Sequence, residues 1–424
     1  MKKKIKIFLS VVVALLVVSV PVTYKILVKK NKYVREWHEL PKEEKRLGVC
    51  LSFERIANNI VKPNVSQEIP ESITVEKIEE SVIIGADWIL SVQEPSGRFR
   101  YWYNPEKKKF SAEHDDNFLR QAGTGYSLML VYEVTGNKNY LEAAKRNLHY
   151  LLKYKQEVDS TKACFLYKRK AKLGGIALPM LTMLKIKSLD HDPEYDEVLK
   201  KLADMMIHLQ DLYGTGQFKS TYVYQDNYEY EKNSGWESKI YPGEALLALV
   251  FMYKEFGDEK YKESIDCAFK YYESHGWGRK ASFIPWASSA FCELYTITGD
   301  EKYSDFVFKM CDFTLRRQNL NSKRQVYGSF DPLPTVFTST SFEGIGDALM
   351  VCKLLGDEKK YEQYKSRSII AYKWLMGLQY TGEDSLAYGG FKKCLYDQEI
   401  RIDNTQHSIS ALSKGLKYIF YLNQ

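Results

Sequence analysis

One short pattern recurs along the chain and restricts what it can fold into. A glycine is followed by Asp or Asn, then by two or three mostly charged residues and a tyrosine, between stretches with helical periodicity. The glycine is suited to end one helix, and the Asp or Asn side chain to cap the next. The pattern therefore predicts helical-hairpin turns at residues 135–140, 257–261, 298–303 and 356–361, with 192–195 as a degenerate fifth copy.

A second feature marks the ends of alternate helices. Gln93, Gln210 and Gln379 each close a helical stretch and precede a loop rich in glycine and aromatic residues. The chain then alternates helix, short turn, helix and long aromatic loop. One set of helices is predicted near 78–93, 138–155, 193–210, 258–274, 301–317 and 358–379. The other set is predicted near 117–134, 173–187, 242–256, 284–298, 342–355 and 404–421.

The two sets differ in composition, which indicates how they are arranged. The second set is rich in Gly, Ala and Ser, as in 174–177, 243–248 and 287–290, and small residues allow close helix packing. The first set carries more Lys and Glu and suits a surface that faces water. The sequence therefore predicts an all-α fold, a closed (α/α)6 toroid of six helical hairpins, as a single domain over residues 76–424.

The first 75 residues have a different character. Residues 1–6 are lysine-rich, and residues 7–28 form an apolar run long enough for a membrane helix. A cleavable signal peptide has a similar layout, but no clear small-residue cleavage site follows. We therefore expect an uncleaved signal-anchor at 7–28 and a polar linker at 29–75. The protein would then be a single-pass membrane protein with its C-terminal domain outside the cytoplasm.

Charge and cysteine content exclude some classes of function. The net charge of +7 includes nine Lys or Arg residues and no acid within residues 1–35, so the remaining residues carry −2. The folded part thus lacks the basic surface of a nucleic-acid-binding protein. The seven cysteines are widely separated and show no metal-ligand spacing. We expect no metal, no other cofactor and no nucleic-acid partner.

The hairpin repeat and the glycine–aromatic loops resemble the six-hairpin glycosidase-like superfamily of (α/α)6 toroids over about 350 residues. This resemblance implies a carbohydrate-active enzyme with a carbohydrate partner. The Gln-ending helices are also similar to repeats in terpene cyclases and prenyltransferase subunits. However, the Asp-rich motif of the cyclases needs a third acid beside Asp115 and Asp116, and that acid is missing. The zinc site of the prenyltransferases needs a cysteine near Asp403 and His407, and no cysteine is suitably placed there.

In such a ring the N-terminal ends of the inner helices converge on one central pocket, where helix dipoles favour negative charge. Acidic, aromatic and basic residues occur at five of the six predicted ends. The predicted catalytic residues are Asp115, Asp116, Glu244, Glu343 and His407, and the predicted substrate-binding residues are His114, Arg120, Trp236, Tyr241, Trp286, Asp347 and Asp403.

Each of these residues also has a structural interpretation. Asp115, Asp116 and Asp403 are compatible with helix caps, and His407 with a hydrogen-bonded structural histidine. Glu244 fits a purely structural role less well. It lies inside an apolar inner helix, where an unpaired carboxylate is costly.

Two chemistries remain open for a catalytic pocket. In glycoside hydrolysis, a carboxyl with a raised pKa protonates the glycosidic oxygen and a second carboxylate activates water; Asp115 or Asp116 would pair with Glu343 or Glu244. Arg120 would hold a substrate carboxylate, which indicates uronic-acid-containing polymers. Alternatively, His407 or Tyr241 would abstract the C5 proton in a uronate epimerase or a lyase. A non-catalytic carbohydrate-binding toroid is a third interpretation.

Overall fold

The computed structural model describes residues 73–421 apart from 191–192, 212, 226–227, 234, 331–334 and 396. All of these residues fall within one compact unit, Asn64–Gln424. The predicted basic segment, the predicted membrane anchor at 7–28 and all but the end of the predicted linker lie outside the described residues. None of the helices that are described is long and apolar enough to cross a bilayer.

The described part of the chain contains twelve α-helices, which alternate between two rings. The outer ring consists of α1 (Val75–Ser91), α3 (Lys138–Leu152), α5 (Asp196–His208), α7 (Glu259–Ser274), α9 (Glu301–Leu315) and α11 (Glu358–Met376). The inner ring consists of α2 (Phe118–Thr135), α4 (Leu173–Asp190), α6 (Glu237–Phe256), α8 (Ile284–Thr298), α10 (Thr335–Leu355) and α12 (Ile402–Gly415).

Contacts between the inner helices close the ring. Each inner helix packs against the next one in chain order, and α12 packs against α2. The outer helices lie against the outside of this ring, with α1 between α12 and α2. The predicted toroid of six helical hairpins is therefore confirmed.

Some helix boundaries differ from those predicted. Helix α6 begins at Glu237, ahead of Pro242, and α10 begins at Thr335. The Ser- and Thr-rich start of α10 resembles a loop in sequence, but its hydroxyls donate back to helix carbonyls, as Ser339 does to Thr335 at 2.9 Å. Helix α12 ends early, and a π-helical segment, Leu416–Tyr421, follows.

The predicted turns have the expected caps. At four of them the glycine that ends the inner helix has a left-handed backbone, and the Asp or Asn that follows accepts a hydrogen bond from a backbone N–H of the next helix. The glycines are Gly136, Gly257, Gly299 and Gly356, and the capping residues are Asn137, Asp258, Asp300 and Asp357. The fifth predicted turn is partly outside the described residues, and a 3₁₀ helix, Pro193–Tyr195, follows there.

The loops at the other end carry short strands that the all-α prediction missed. They form three antiparallel sheets, ordered β2-β1-β8, β3-β4 and β5-β6-β7. Strand β8 leads directly into α12 and pairs with β1, with Trp102 opposite Arg401. The strands are β1 (Trp102–Asn104), β2 (Lys109–Phe110), β3 (Lys155–Glu157), β4 (Ala163–Phe165), β5 (Lys170–Lys172), β6 (Thr221–Gln225), β7 (Tyr228–Lys232) and β8 (Ile400–Arg401).

Four glutamines join consecutive outer helices by the same contact. Each follows the end of an outer helix, and its side-chain N–H groups donate to a glycine carbonyl in the next loop and to a carbonyl of the next outer helix. The glutamines are Gln93, Gln210, Gln318 and Gln379, and their acceptors are Gly97 and Ala143, Gly216 and Ser264, Gly328 and Arg367, and Gly389 and Ser81. Because Gln379 reaches α1, this contact also joins the last hairpin to the first.

This repeated contact gives the Gln–Gly–aromatic pattern a structural cause. The loop glycine must come close to the next helix: at Gly389, where φ is +88°, a Cβ would lie 2.1 Å from the carbonyl oxygen of Ile84. The pattern shared with terpene cyclases and prenyltransferases therefore reflects how outer helices are joined and carries no information about the site.

We expect Gln379→Ala to lower the free energy of unfolding by about 2–4 kcal/mol, since the change leaves buried carbonyls of Ser81 and Gly389 without their donor. Urea unfolding followed by circular dichroism measures the change. Gln363, which is exposed on α11, provides the control: Gln363→Ala should change the midpoint little. Equal effects of the two substitutions would contradict a role for the Gln379 contact in closing the outer ring.

Candidate functional site

The structure places most of the predicted site residues on the inner helices as one connected group. Glu244 and Arg120 lie on α6 and α2, Asp403 and His407 on α12, and Glu343 on α10. Electrostatic and hydrogen-bond contacts link them from Glu244 through Arg120 and Asp403 to His407 and Glu343. The residues come from distant parts of the sequence and meet because the inner ring is closed.

Glu244 is a buried acid without a hydrogen-bond partner at one oxygen. Its side chain is 5% exposed, and Oε2 has no partner among the described residues. It occupies space that Gly174 leaves open on α4, where a Cβ would lie 1.8 Å from Oε2. Burial raises the pKa of Glu244 to about 8, and the nearby Arg120 charge opposes this rise only in part. The carboxyl is therefore protonated at neutral pH and has a proton to donate.

Two arginines share one buried carboxylate next to Glu244. Arg401 donates to both oxygens of Asp403, through Nε at 2.8 Å and through Nη2, while Arg120 Nε lies 3.3 Å from Oδ2. Although burial opposes ionisation, the two guanidinium groups hold the pKa of Asp403 well below its usual range. The trio has a net charge of +1, and Glu399 lies close enough to Arg401 to interact with it electrostatically. The Arg120 side chain is 29% exposed.

His407 and Glu343 form a buried pair. His407 Nδ1 lies 2.7 Å from Glu343 Oε1, and His407 Nε2 lies 3.4 Å from the side-chain nitrogen of Gln406. Thr124 donates to Gln406 Oε1 at 2.5 Å, which directs the amide N–H groups toward His407. Nδ1 of His407 therefore shares a hydrogen bond with Glu343, and Nε2 faces the side-chain amide of Gln406.

One helical turn further along α10, Asp347 accepts a hydrogen bond from Lys414 at 2.6 Å. Lys414 Nζ also lies 3.4 Å from the carbonyl oxygen of Glu343. Both side chains are largely buried and satisfy each other. Asp347, a predicted substrate-binding residue, therefore has its carboxylate paired with a lysine that was not among the predicted site residues.

Asp116 lies apart from this group, at the entrance between α2 and α4. It is half-buried; its Oδ1 accepts from Gln121 at 2.8 Å and its Oδ2 from Tyr150 at 3.0 Å. The cap of α2 is Asn117, so Asp116 is not an N-cap. Nor is Asp403 a cap, since Arg401 holds the N-cap position of α12. The hydrogen bonds fix the orientation of the Asp116 carboxylate.

His114 and Asp115 are exposed, and Asp115 is tied to the loop by its backbone N–H, which donates to Ala112 at 3.0 Å. The structure does not bring either side chain into the buried group. Of the three predicted residues in the acidic cluster before α2, His114, Asp115 and Asp116, only Asp116 is partly enclosed.

The predicted aromatic residues line the same end of the ring. Tyr241 is buried beside Gly174, and Trp236, which is half-buried, contacts it edge-on with 6.0 Å between ring centroids. Trp286 lies deeper, 6.3 Å from the His407 ring. Burial raises the pKa of Tyr241 well above its usual value, so this phenol is a hydrogen-bond donor and a poor candidate for the base.

Two cavities lie at opposite ends of the ring, where one was expected. A cavity of about 270 Å³ opens at the N-terminal ends of α2 and α4 and is lined by Asp116, Phe118, Tyr167 and neighbouring lysines. A larger one, about 430 Å³, is lined by the C-terminal halves of all six inner helices. Its charged side chains form ion pairs with each other, such as Lys185 with Glu133. Among the candidate acids, Asp116 lines the smaller cavity and Asp347 lines the larger one.

Sequence reasoning missed several residues that hold these groups. Lys414, Gln121 and Tyr150 were not among the candidates, although a single lysine in the small-residue stretch Ser413–Gly415 was a usable signal for Lys414. Among the described residues, no group of three or more His, Cys, Asp or Glu side chains is arranged to hold a metal ion.

Solved structures share this architecture. An alpha-1,6-mannanase, GH76A, from Salegentibacter sp. HEL1_6 matches with a TM-score of 0.59 at 12% identity, over 81% of this chain and 100% of that chain. The chain has the six-hairpin glycosidase-like fold. A cellobiose 2-epimerase from Spirochaeta thermophila DSM 6192 matches with a TM-score of 0.58 at 13% identity, over 82% and 98% of the two chains.

An unsaturated glucuronyl hydrolase specific for heparin also matches, with a TM-score of 0.58 at 13% identity, over 81% of this chain and 98% of that chain. These likenesses confirm the predicted resemblance at the level of the six-hairpin fold. No protein-family model and no curated protein matches the sequence.

The protonation of Glu244 makes a testable prediction about stability. Its folded pKa of about 8 exceeds the usual 4.5, so the folded chain keeps a proton that the unfolded chain releases, and stability falls as pH rises through that window. In the Glu244→Gln protein this pH-dependent fall in stability is absent, because glutamine has no proton to release. We expect the substitution to stabilise the protein more at about pH 8.5 than at about pH 5, by on the order of a few kcal/mol in urea unfolding.

Glu263, an exposed glutamate on α7, is the matched control for this experiment. Glu263→Gln should have the same small effect at both pH values. If Glu244→Gln behaved in the same way, Glu244 would not be a neutral acid in the folded protein.

Proposed function

We propose that the protein is a carbohydrate-active enzyme that hydrolyses glycosidic bonds in a uronic-acid-containing oligosaccharide or polysaccharide, with Glu244 as the general acid. One observation carries the proposal. Glu244 is buried and protonated at neutral pH, and its Oε2 has no partner in the described structure. A structural role gives no reason for an inner helix to hold such a group, whereas acid catalysis requires one.

Asp116 is the second carboxylate in this mechanism. As the glycosidic C–O bond breaks, Glu244 gives its proton to the leaving oxygen, and Asp116 takes a proton from the water whose oxygen attacks the anomeric carbon. Tyr150 and Gln121 hold Asp116 for that role. Glu343, the other candidate partner, is already engaged by His407.

The fold neighbours support a carbohydrate substrate. An inactive form of the Salegentibacter mannanase, in complex with alpha-1,6-mannotriose, has two adjacent aspartates replaced by asparagine. Asp115 and Asp116 are an adjacent pair in this chain, and we propose that Asp116 has the corresponding function. The net positive charge of the Arg120–Asp403–Arg401 trio, together with the partial exposure of Arg120, favours a carboxylate on the sugar that enters the site.

We retain the proposal that the domain is held at a membrane and acts on carbohydrate outside the cytoplasm. The support is the lysine-flanked apolar run at 7–28 in the sequence. Protease protection of the full-length chain in intact cells would test the orientation.

We expect Glu244→Gln and Asp116→Asn each to reduce kcat on uronic-acid oligosaccharides by about 10³-fold or more, since each removes a proton-transfer group. For the unchanged protein, activity should decline as pH rises past about 8, where Glu244 loses its proton. Reducing-end release measures both effects. Glu113→Gln, which changes an exposed neighbour, is the control and should keep full activity. Unimpaired hydrolysis by Glu244→Gln would refute the proposed acid.

Uronate C5-epimerase or lyase chemistry is the second candidate, and the His407–Glu343 pair favours it. The hydrogen bond between Glu343 and Nδ1 orients the His407 imidazole, which can then act as the general base that removes a proton from carbon. The Arg120 guanidinium would neutralise the substrate carboxylate next to that carbon.

Reaction in deuterated water separates the two chemistries. Hydrolysis leaves every carbon-bound hydrogen in place, so we expect mass spectrometry to show no deuterium at carbon in the products. Deuterium at C5, lost in His407→Gln, would instead establish the epimerase. Saturable binding without turnover would identify a carbohydrate-binding protein.

A further inference from the structure

A hairpin that carries lysines borders the smaller cavity. Strand β5 and the turn before it place Lys168, Lys170 and Lys172 in the cavity lining, and Asp116 is the sole carboxylate among its lining residues. The cavity is therefore more cationic than the folded domain as a whole, whose charge is close to balanced.

Two of these lysines are not neutralised. Lys172 pairs with Glu237 at 2.6 Å, but Lys168 and Lys170 form no ion pair in the described part of the chain. Many other lysines of the outer surface do have an acidic partner, as Lys201 and Lys309 do. Lys168 Nζ lies 5.1 Å from the centroid of the Tyr167 ring, but neither Lys168 nor Lys170 is held by a carboxylate in the described part of the chain, so both can pair with an anionic ligand.

The turn that presents them is held by the backbone. Tyr167 and Lys170 exchange backbone hydrogen bonds of 3.0 and 3.1 Å, and the residues between them, Lys168 and Arg169, have positive φ angles of 52° and 63°. A non-glycine pair in this conformation is unfavourable in isolation. The hairpin fixes this backbone conformation, which keeps both lysines at the cavity rim.

Aromatic rings form another wall of the same cavity. Phe118 packs against Phe165 and Tyr167, with centroid distances of 5.6 and 5.9 Å. Flat apolar rings accept the CH face of a sugar while its hydroxyls and charges reach polar groups at the edge. The aromatic wall suits the apolar face of a sugar, and the lysines at the rim suit a negative charge that the sugar carries.

The cavity is adjacent to the proposed catalytic group. Leu119 and Gly175 line it, and their chain neighbours Arg120 and Gly174 contact Asp403 and Glu244. A ligand in the cavity would thus lie beside the sugar that is held at Arg120.

We propose that this cavity is a subsite for a second carboxylate-bearing sugar, next to the unit whose bond Glu244 protonates. This inference rests on the proposed function and deepens it. The substrate is then a polymer with uronic acids on adjacent units, rather than a neutral glycan with one acidic end.

Isothermal titration tests this with the full-length protein carrying Glu244→Gln, so that the probe is not cleaved. The probes are a trigalacturonate and its fully methyl-esterified form, which has the same sugars without the charges. We expect the acid to bind at least about tenfold more tightly than the ester. Adding Lys168→Gln with Lys170→Gln should weaken binding of the acid about tenfold and of the ester less than about twofold.

Lys107 and Lys109 supply the control, since they are exposed on the neighbouring β1–β2 hairpin and do not line the cavity. Lys107→Gln with Lys109→Gln should leave both affinities unchanged. Equal affinities for the acid and the ester would contradict the proposed subsite, as would equal losses of affinity in the two double-lysine variants. Either result would still be consistent with a carbohydrate-active enzyme. Binding of neither probe would count against the proposed function and the subsite together.

Discussion

Close packing between neighbouring inner helices is the constraint on which the rest of the structure depends. At successive interfaces a glycine faces the next helix at a distance that no side chain would permit. A Cβ on Gly243 would lie 2.9 Å from Trp286, one on Gly344 would lie 2.1 Å from Ser288, and one on Gly346 would lie 2.9 Å from Lys414. Six helices can close into a ring only at such short separations, and the outer helices are then joined around it by their glutamines.

Glycines of the inner helices also decide where polar groups enter the ring. Gly174 leaves the space that Glu244 fills, Gly123 leaves the space for Gln406, and Gly346 lies against the stem of Lys414. Burial follows directly, and burial keeps Glu244 protonated, while two arginines keep Asp403 charged and Asp347 accepts a hydrogen bond from Lys414. The packing that builds the toroid thus also sorts its acids into one proton donor and several fixed charges.

The fold was largely predictable because its signals are local. A glycine and an Asp at each turn, and small residues along alternate helices, act within a few residues of where they stand. The site was only partly predictable because the site side chains pair mostly with residues that are distant in sequence. Glu343, Asp347 and Asp403 look alike in sequence, yet they meet His407, Lys414 and two arginines respectively. Glu244 stood out because a carboxyl within an apolar helix is conspicuous whatever its neighbours.

We propose that glycosidic-bond hydrolysis takes place at the N-terminal end of the inner ring, at Glu244. A crystal structure of the Glu244→Gln protein with a bound uronic-acid oligosaccharide tests it most directly. We expect that structure to show a sugar in the smaller cavity, with a glycosidic oxygen within about 3 Å of the side chain at position 244. A sugar bound instead in the larger cavity, at the C-terminal ends of the inner helices, would contradict it.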